Sequence, residues 1–312
     1  MSRHHELKSS PETIHWGYFD AAIKPVLRIA PGDQVTFRTV NGGVDVMPSP
    51  PYVVPPELRA IHVRCAPKLV GHILTGPVYV EGAQPGDVLD VHILDIQLPI
   101  DWGYNVMRPL RGTLPEDFPF FRALHFPIDK ARGVAKTPWG IELPLAPFFG
   151  VMGNAPRASY GSVSTMAPRE FGGNIDLKEL TPGAILSLPV FNEGALFSAG
   201  DGHALQGDGE VNLAALEVCL DGTFEFRLRK GAGLTFPLAE TPTHWITFGF
   251  DEDLDDAAKQ ALREMIKLLG EKRGLSPVDA YALCSLAVDL RVTQLVDGNK
   301  GVHAMAPKAL FA

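Results

Sequence analysis

Residues 194–218 read GALFSAGDGHALQGDGEVNLAALEV, an apolar, strand-like run that feeds Asp201, Gly202 and His203, followed by Gln206, Asp208 and Glu210. A divalent metal needs deprotonated oxygen or neutral imidazole donors on a backbone able to fold tightly around it. Asp201 and His203 stand two apart, a spacing that suits one face of a strand. Gly200, Gly202, Gly207 and Gly209 let the chain turn back on itself. The same text also suits a plain polar hairpin, because Asp-Gly is a strong turn signal. Neither an EF-hand loop nor HExxH occurs, so no generic motif names a metal.

A second polar cluster, Phe171-Gly172-Gly173-Asn174-Ile175-Asp176, repeats the two-residue spacing at Asn174 and Asp176. By itself it reads as a turn with a helix cap; folded against the first cluster, it would add Asn174 or Asp176 to Asp201 and His203 in a metal site. Glu81 ends an apolar run just before a glycine. A desolvated carboxylate there would serve as general base or acid near neutral pH, and an ordinary exposed strand-end glutamate has the same local text. His15 and His72 are equally open, since a single histidine beside aromatics is more often packed than ligating. Nucleophilic schemes fare worse. There is no GxSxG elbow, Cys219 and Cys284 lie in apolar runs, and only Cys65 could follow a strand. Without GxGxxG or a Walker A loop, no nucleotide cofactor is expected.

The elements that must position these groups are mostly strands. Two segments, VLRIAPGDQVTFRTV and GPVYVEGAQPGDVLDVHILDIQL, each break at a Pro-Gly-Asp turn, and the second alternates Leu89, Val91 and Ile93 with Asp90, His92 and Leu94. Residues 101–136 read as an aromatic, Pro-rich irregular stretch whose length suits a lid or subunit contact, and its part 101–126 is where a change of substrate is expected to show. No helical periodicity is evident before residue 250. From 254 to 269 apolar residues recur at helical spacing, with Asp253 as cap and Gly270 as stop. Ser276-Pro277-Val278-Asp279 opens a second helix, and a last strand is expected around 290–295. The predicted class is mainly β, with β-sandwich-like sheets, α+β overall, and a C-terminal two-helix segment. A mainly β body covers about 10–250, the helices about 253–290, and a final strand and tail 291–312, in one domain of 312 residues.

The net charge of −8, with no basic stripe, argues against nucleic acid as partner. No run reaches the roughly 18 apolar residues of a membrane span, and the first residues lack the apolar core of a signal peptide. Three cysteines without CxxC spacing suit a reducing compartment. The expected setting is cytoplasmic, without a membrane.

Five segments in order, GPVYVEGAQPGDVL (76–89), GVMGNAP (150–156), FGGNIDL (171–177), LFSAGDGHALQGDGEV (196–211) and RVTQLVDGNKGVHAMAPKALF (291–311), make the chain resemble the acetamidase/formamidase family over nearly its whole length. The resemblance implies hydrolysis of formamide, acetamide or a similar small neutral amide to a carboxylic acid and ammonia. It also implies a mainly β fold, a homodimer or higher homo-oligomer, and a bound divalent metal, zinc ahead of calcium. Carried over by motif, Asp201, His203, Asn174 and Asp176 become metal ligands. Glu210 or Glu81 becomes the general base, and Asn154 in GVMGNAP an amide or oxyanion donor. Two alternatives stay open: a family member acting on a carbamate, urea-like compound or aryl amide, and a non-catalytic calcium-binding β module.

Overall fold

Alternation of apolar and polar side chains draws the strands into two large sheets. The computed structural model describes residues 2–311. One sheet has nine strands, running from an edge at His4–Lys8 through Gln34–Arg38, Asp221–Arg229, Val88–Gln97 and Ile185–Pro189 to His244–Asp251, Lys300–Pro307 and Asp289–Gln294, with Leu238–Glu240 between Ile185–Pro189 and His244–Asp251. The other has eleven and is centred on Phe197–Leu205, which pairs antiparallel with Phe148–Gly153, Leu216–Val218 and Ile73–Val80. The sheets meet through aromatic rings. Phe37, Phe224 and Phe226 come from the first and Phe149 and Phe197 from the second, with ring centroids 5.1 Å apart for Phe197–Phe226 and 5.3 Å for Phe149–Phe224. Such edge-on pairs add about 0.5–1.5 kcal/mol beyond the area they bury. The expected mainly β, sandwich-like class is what forms.

Both Pro-Gly-Asp turns close alike. Asp33 Oδ2 accepts from Ala30 N at 3.0 Å, and Asp87 Oδ2 accepts from Gln84 N at 2.8 Å. Each aspartate satisfies its own turn.

Residues 101–136 depart from the expected irregular loop. Trp102–Met107 pairs antiparallel with Arg122–Asp129, which pairs with Val134–Lys136. Trp102, Tyr104 and Val106 are buried on one face, so a period of two was present but interrupted to the eye by Gly103 and Asn105. Only 108–121 between the strands is irregular.

Three α-helices form among the described residues. The first, α1 (Pro56–Arg64), was not foreseen; it buries just Leu58 and Ile61, too few apolar positions to show as a stripe. The second, α2 (Leu254–Arg273), is capped by Asp253, whose side chain accepts from Asp255 N and Asp256 N at 2.9 and 3.2 Å. It runs past the expected stop at Gly270, because the left-handed residue that ends it is Gly274, φ +67°. The third, α3 (Pro277–Ala287), starts at Ser276 as expected and leaves Val278, Tyr281 and Leu286 exposed. Ala257, Ala261, Met265 and Leu269 seat α2 on His244–Asp251 and Lys300–Pro307. The expected last strand is Asp289–Gln294, and a further one, Lys300–Pro307, follows it.

Candidate functional site

Strand Phe197–Leu205 changes phase in its middle. Phe197 and Ala199 face the core between the sheets, and so does Ala204, an even-numbered position. Asp201 stands where the alternation shifts, with φ +58°, and the shift turns Asp201 and His203 away from the core. Directly across neighbouring strands lie Glu217, opposite His203, and Tyr104, opposite Glu217. On the other side Phe148 faces His203, its ring perpendicular at 5.0 Å. Asn174 ends a strand paired with Phe148–Gly153, and Asp176 N donates to Gly150 O at 3.2 Å. Glu210 follows the turn after Leu205, and its neighbour Gly209 bridges to Gln294.

Gly150 is the gap that admits the cluster. A Cβ there would lie 2.5 Å from Asp176 Oδ1, 2.6 Å from Asp201 Oδ2 and 2.7 Å from His203 Cε1. Asp176, Asp201 and Glu210 all take left-handed backbone, φ +53°, +58° and +44°. Each such residue costs of order 1–3 kcal/mol, so three among the site's carboxylates mark a place where the fold spends stability on geometry.

The result is a buried centre of carboxylates around one imidazole. His203 Nε2 lies 3.2 Å from Asp201 Oδ2 and 3.4 Å from Glu217 Oε1, and Nδ1 lies 3.8 Å from Asp176 Oδ1. Proximity comes without alignment: both ring nitrogens of His203, both carboxylate oxygens of Asp176 and Oδ1 of Asn174 are buried with no hydrogen-bond partner. Orphaned buried donors and acceptors are costly unless something else satisfies them. Asn41 Nδ2 donates to Glu217 Oε2 at 2.7 Å and reaches Asp201 Oδ1 at 3.3 Å. His72 Nε2 stands 3.7 Å from Asp201 Oδ2. Above them opens a cavity of about 370 Å³, lined among others by Trp16, Asn41, His72, Tyr104, Asn174, Asp201, Glu210, Glu217 and Asp297.

The charges of this centre are far from their usual balance. Burial pushes Glu217 up, the Asp201 charge adds to that against the opposing pull of His203, and the carboxyl reaches about 8. Asp297 is likewise pushed up to about 8, by burial above all. Asp176 and Glu210 are raised well above the carboxylate range, first by burial and then by neighbouring carboxylates. Burial opposes charge on Asp201 too, but His72 and His203 outweigh it and hold the carboxyl below its usual range. For His203 burial favours the neutral ring, and Glu217 and Asp201 overcome it, raising the imidazole to about 10.

Two overlapping triads, Asp176–His203–Glu210 and Asp201–His203–Glu217, each offer donor atoms within 4.8 Å of one another. A divalent cation fits this donor set of buried, unpartnered oxygens and imidazole nitrogens. Of the residues singled out from sequence, the fold brings Asp201, His203, Asn174, Asp176 and Glu210 together. It does not bring Glu81, which is exposed beyond strand Ile73–Val80; eight residues of extended chain carry it about 26 Å along from Ile73 at the cavity. Asn154 is also outside the cavity lining, buried, with Nδ2 donating to Pro189 O at 2.9 Å. Its amide nitrogen ties two backbones together, and its Oδ1 is buried without a partner. Sequence reasoning missed Glu217, Asp297, Asn41 and Tyr104. The local signals were Glu217 itself, an acid inside the apolar run Leu216–Val218, and the place of Asp297 within the ordered segment 291–311.

The model of the acetamidase/formamidase family matches residues 3–160 and 157–312, end to end along the chain. The chain belongs to the acetamidase/formamidase family. Within curated proteins it is 29% identical to an acetamidase of Mycolicibacterium smegmatis, over 57% of this chain and 61% of that protein. It is 26% identical to a formamidase of Methylophilus methylotrophus, over 72% of this chain and 73% of that one. The match thus spans about three-fifths of the first relative and nearly three-quarters of the second. Among solved structures, an acetamidase from Bacillus halodurans superposes with a TM-score of 0.85 at 31% identity, with 98% of each chain covered. Family membership read from five ordered segments is borne out, and four of the five contribute to the centre: Gly150, Asn174 and Asp176, Asp201 to Glu210, and Asp297.

Proposed function

We propose that the protein hydrolyses small neutral amides, formamide and acetamide first, to a carboxylic acid and ammonia at the His203 centre, with a bound divalent cation. The observation that carries this is the set of unpartnered buried atoms on His203, Asp176 and Asn174 beneath a solvent-reaching cavity, in a chain whose family is named for these activities. The residues that would hold the cation are His203 with either Asp201 and Glu217 or Asp176 and Glu210. Imidazole among carboxylates favours zinc over calcium, which prefers oxygen alone. When bound, such an ion supplies Lewis-acid polarisation of the amide carbonyl and a lowered pKa for water.

The chain's own residues do the rest. Asn41 holds Glu217 in place through the 2.7 Å bond. Buried Tyr104 and Val106 and half-buried Trp16 narrow the space open to the acyl group. Asn174 Oδ1, buried without a donor, is positioned to accept an amide N–H. Proton transfer falls to Asp297, in place of Glu81 and in preference to Glu210. Its Oδ2 is buried and unpartnered in the cavity wall, and burial pushes its carboxyl up to about 8 in the metal-free chain, which suits a group that hands a proton to departing ammonia. Water adds to the carbonyl carbon, the C–N bond breaks, the nitrogen departs as ammonia with its own two protons and the one from Asp297, and the proton given up by the added water restores Asp297.

The test is ammonia release from formamide, acetamide and propionamide, before and after complete chelation. Activity indifferent to metal removal, or metal content unchanged in Asp201→Ala and His203→Ala, would refute the reading. A second reading, a carbamate, urea-like or aryl amide substrate, is favoured by the cavity volume of about 370 Å³, within the range of sites for larger ligands. A preference for such substrates over acetamide in the same assay would select it. We further propose a cytoplasmic homo-oligomer. Three unbridged cysteines support the compartment, and the exposed Leu114, Phe118, Phe120, Phe121 and Trp139 support the assembly. No helix among the described residues is long and apolar enough to cross a membrane.

A further inference from the structure

Leu213 takes a backbone conformation that its residue type rarely adopts. Its φ is +104°, in a region open to glycine and crowded for any residue with a Cβ. It lines the cavity above the His203 centre. Although apolar and half-buried, it packs into none of the core clusters among the described residues. Leucine there costs stability that glycine would keep, which singles out its side chain. Such strain persists only where the surroundings enforce it. Asn105 and Asn212 exchange amide hydrogen bonds: Asn105 Nδ2 donates to Asn212 Oδ1 at 3.2 Å, and Asn212 Nδ2 donates to Asn105 Oδ1 at 2.6 Å. Asn105 Nδ2 also donates to Ala214 O at 2.7 Å and Ala215 O at 3.0 Å, so one side chain holds the backbone on both sides of Leu213. Leu213 N donates to Glu210 O at 3.1 Å, which keeps it beside the carboxylates, and Thr113 N donates to Val211 O at 2.9 Å. The holding matters because the loop has room to leave. Along strand Trp102–Met107, Tyr104 and Val106 face the first cavity and Asn105 and Met107 a second, of about 380 Å³, walled by apolar Leu124, Phe126, Trp139 and Leu143. Glu210 and Ala214 border both cavities.

We propose that Leu213 sets the size limit on the acyl group of the substrate, and that the Asn105–Asn212 pair is the positioning device that holds it in the cavity wall. This rests on the proposed reading that amides are hydrolysed in this cavity, and it goes further by naming the residue that decides which acyl groups enter. A cavity of about 370 Å³ has more space than acetamide fills, so the volume as a whole does not exclude longer chains. An apolar wall beside the reacting centre does. With no polar atom in its side chain, Leu213 acts on shape alone, and one methylene that fits or clashes in an apolar pocket changes kcat/KM by about 10–200-fold. Stretch 108–121 bears on substrate choice in the same way, by bracing this loop through the Thr113–Val211 bond.

The test is ammonia release by the full chain from formamide, acetamide, butyramide and benzamide, with kcat and KM measured separately. Leu213→Ala is expected to raise kcat/KM for butyramide relative to formamide by about 10-fold or more, with a fall in KM for butyramide. Leu213→Gly is expected to do the same on a backbone that suits glycine, and it decides the matter should Leu213→Ala fail to fold. Asn105→Ala is expected to shift the same ratio by less. Added to Leu213→Gly it is expected to give no further gain, a non-additivity that a merely structural loss would not produce. An unchanged ratio in the Leu213 variants overturns the inference and leaves the proposed function standing, as does a wild-type chain that hydrolyses butyramide as well as acetamide. Additive effects of Asn105 and Leu213 overturn the positioning role of the asparagine pair. No ammonia from any of these amides overturns the inference and the proposed function together.

Discussion

Gly150 shows how little room the centre has. Adding one methyl group there would put carbon within 2.7 Å of three functional side chains at once, closer than atoms can approach. Gly150→Ala is expected to keep the fold and lower metal affinity and turnover together, by about 10–100-fold, as displacements near 1 Å in such sites do; parallel metal analysis and ammonia assays check it. The raised carboxyls set a second expectation, for the metal-free protein. Glu217 and Asp297 titrate near 8 when folded but near about 4 in an unfolded chain. A group whose folded pKa is raised stabilises the fold fully below its unfolded pKa and loses that contribution as pH rises through the folded value. His203, at about 10 when folded, adds the same sign of dependence at higher pH. Asp201, held low, stays ionised throughout. The Tm of chelated protein should therefore fall between pH 5 and 9, and added Zn²⁺ should restore more at pH 8.5 than at pH 5.5. A flat or rising profile would contradict the arrangement.

The helical layer obeys packing and capping and stands apart from the chemistry. Gly249 lets α2 approach the sheet so closely that a Cβ there would sit 1.8 Å from Ala257 O. Gly249→Ala should destabilise the fold by about 1–3 kcal/mol or more, lowering Tm while sparing metal content per folded molecule. Asp253→Ala removes the α2 cap and should cost about 1 kcal/mol, with turnover unchanged at temperatures well below the transition. The same elements were the most legible part of the sequence, since a long amphipathic stripe with caps at both ends is a local signal. Its end was misjudged by one turn, because Gly270 and Gly274 look alike in the text. Only Gly274 takes the left-handed backbone that closes the helix. Strand Trp102–Met107 was missed because burial of Trp102, Tyr104 and Val106 depends on a partner, Arg122–Asp129, that lies beyond an irregular stretch.

For the molecule as a whole, a net charge of −8 has no neutral substrate to steer. For formamide or acetamide, kcat/KM should change by less than about twofold between low and high salt; a steep dependence would instead indicate a charged substrate. What the sequence by itself determined was the family, the mainly β class, the capped helices, and that Asp201, His203, Asn174, Asp176 and Glu210 belong to ordered motifs. These are local or linear properties, readable from spacing and order. Only the tertiary structure decided which of them meet. It placed Glu81 and Asn154 outside the cavity lining, and it brought in Asn41 and Tyr104 from segments that carry no motif, with Glu217 and Asp297 from segments already marked by other residues. It also decided which way Asp201 and His203 point. Their two-residue spacing on a regular strand would have sent them into the core with Phe197 and Ala199. A single left-handed residue at Asp201 reverses that face, and backbone of that kind, held only by the packing around it, leaves no mark in the order of residues.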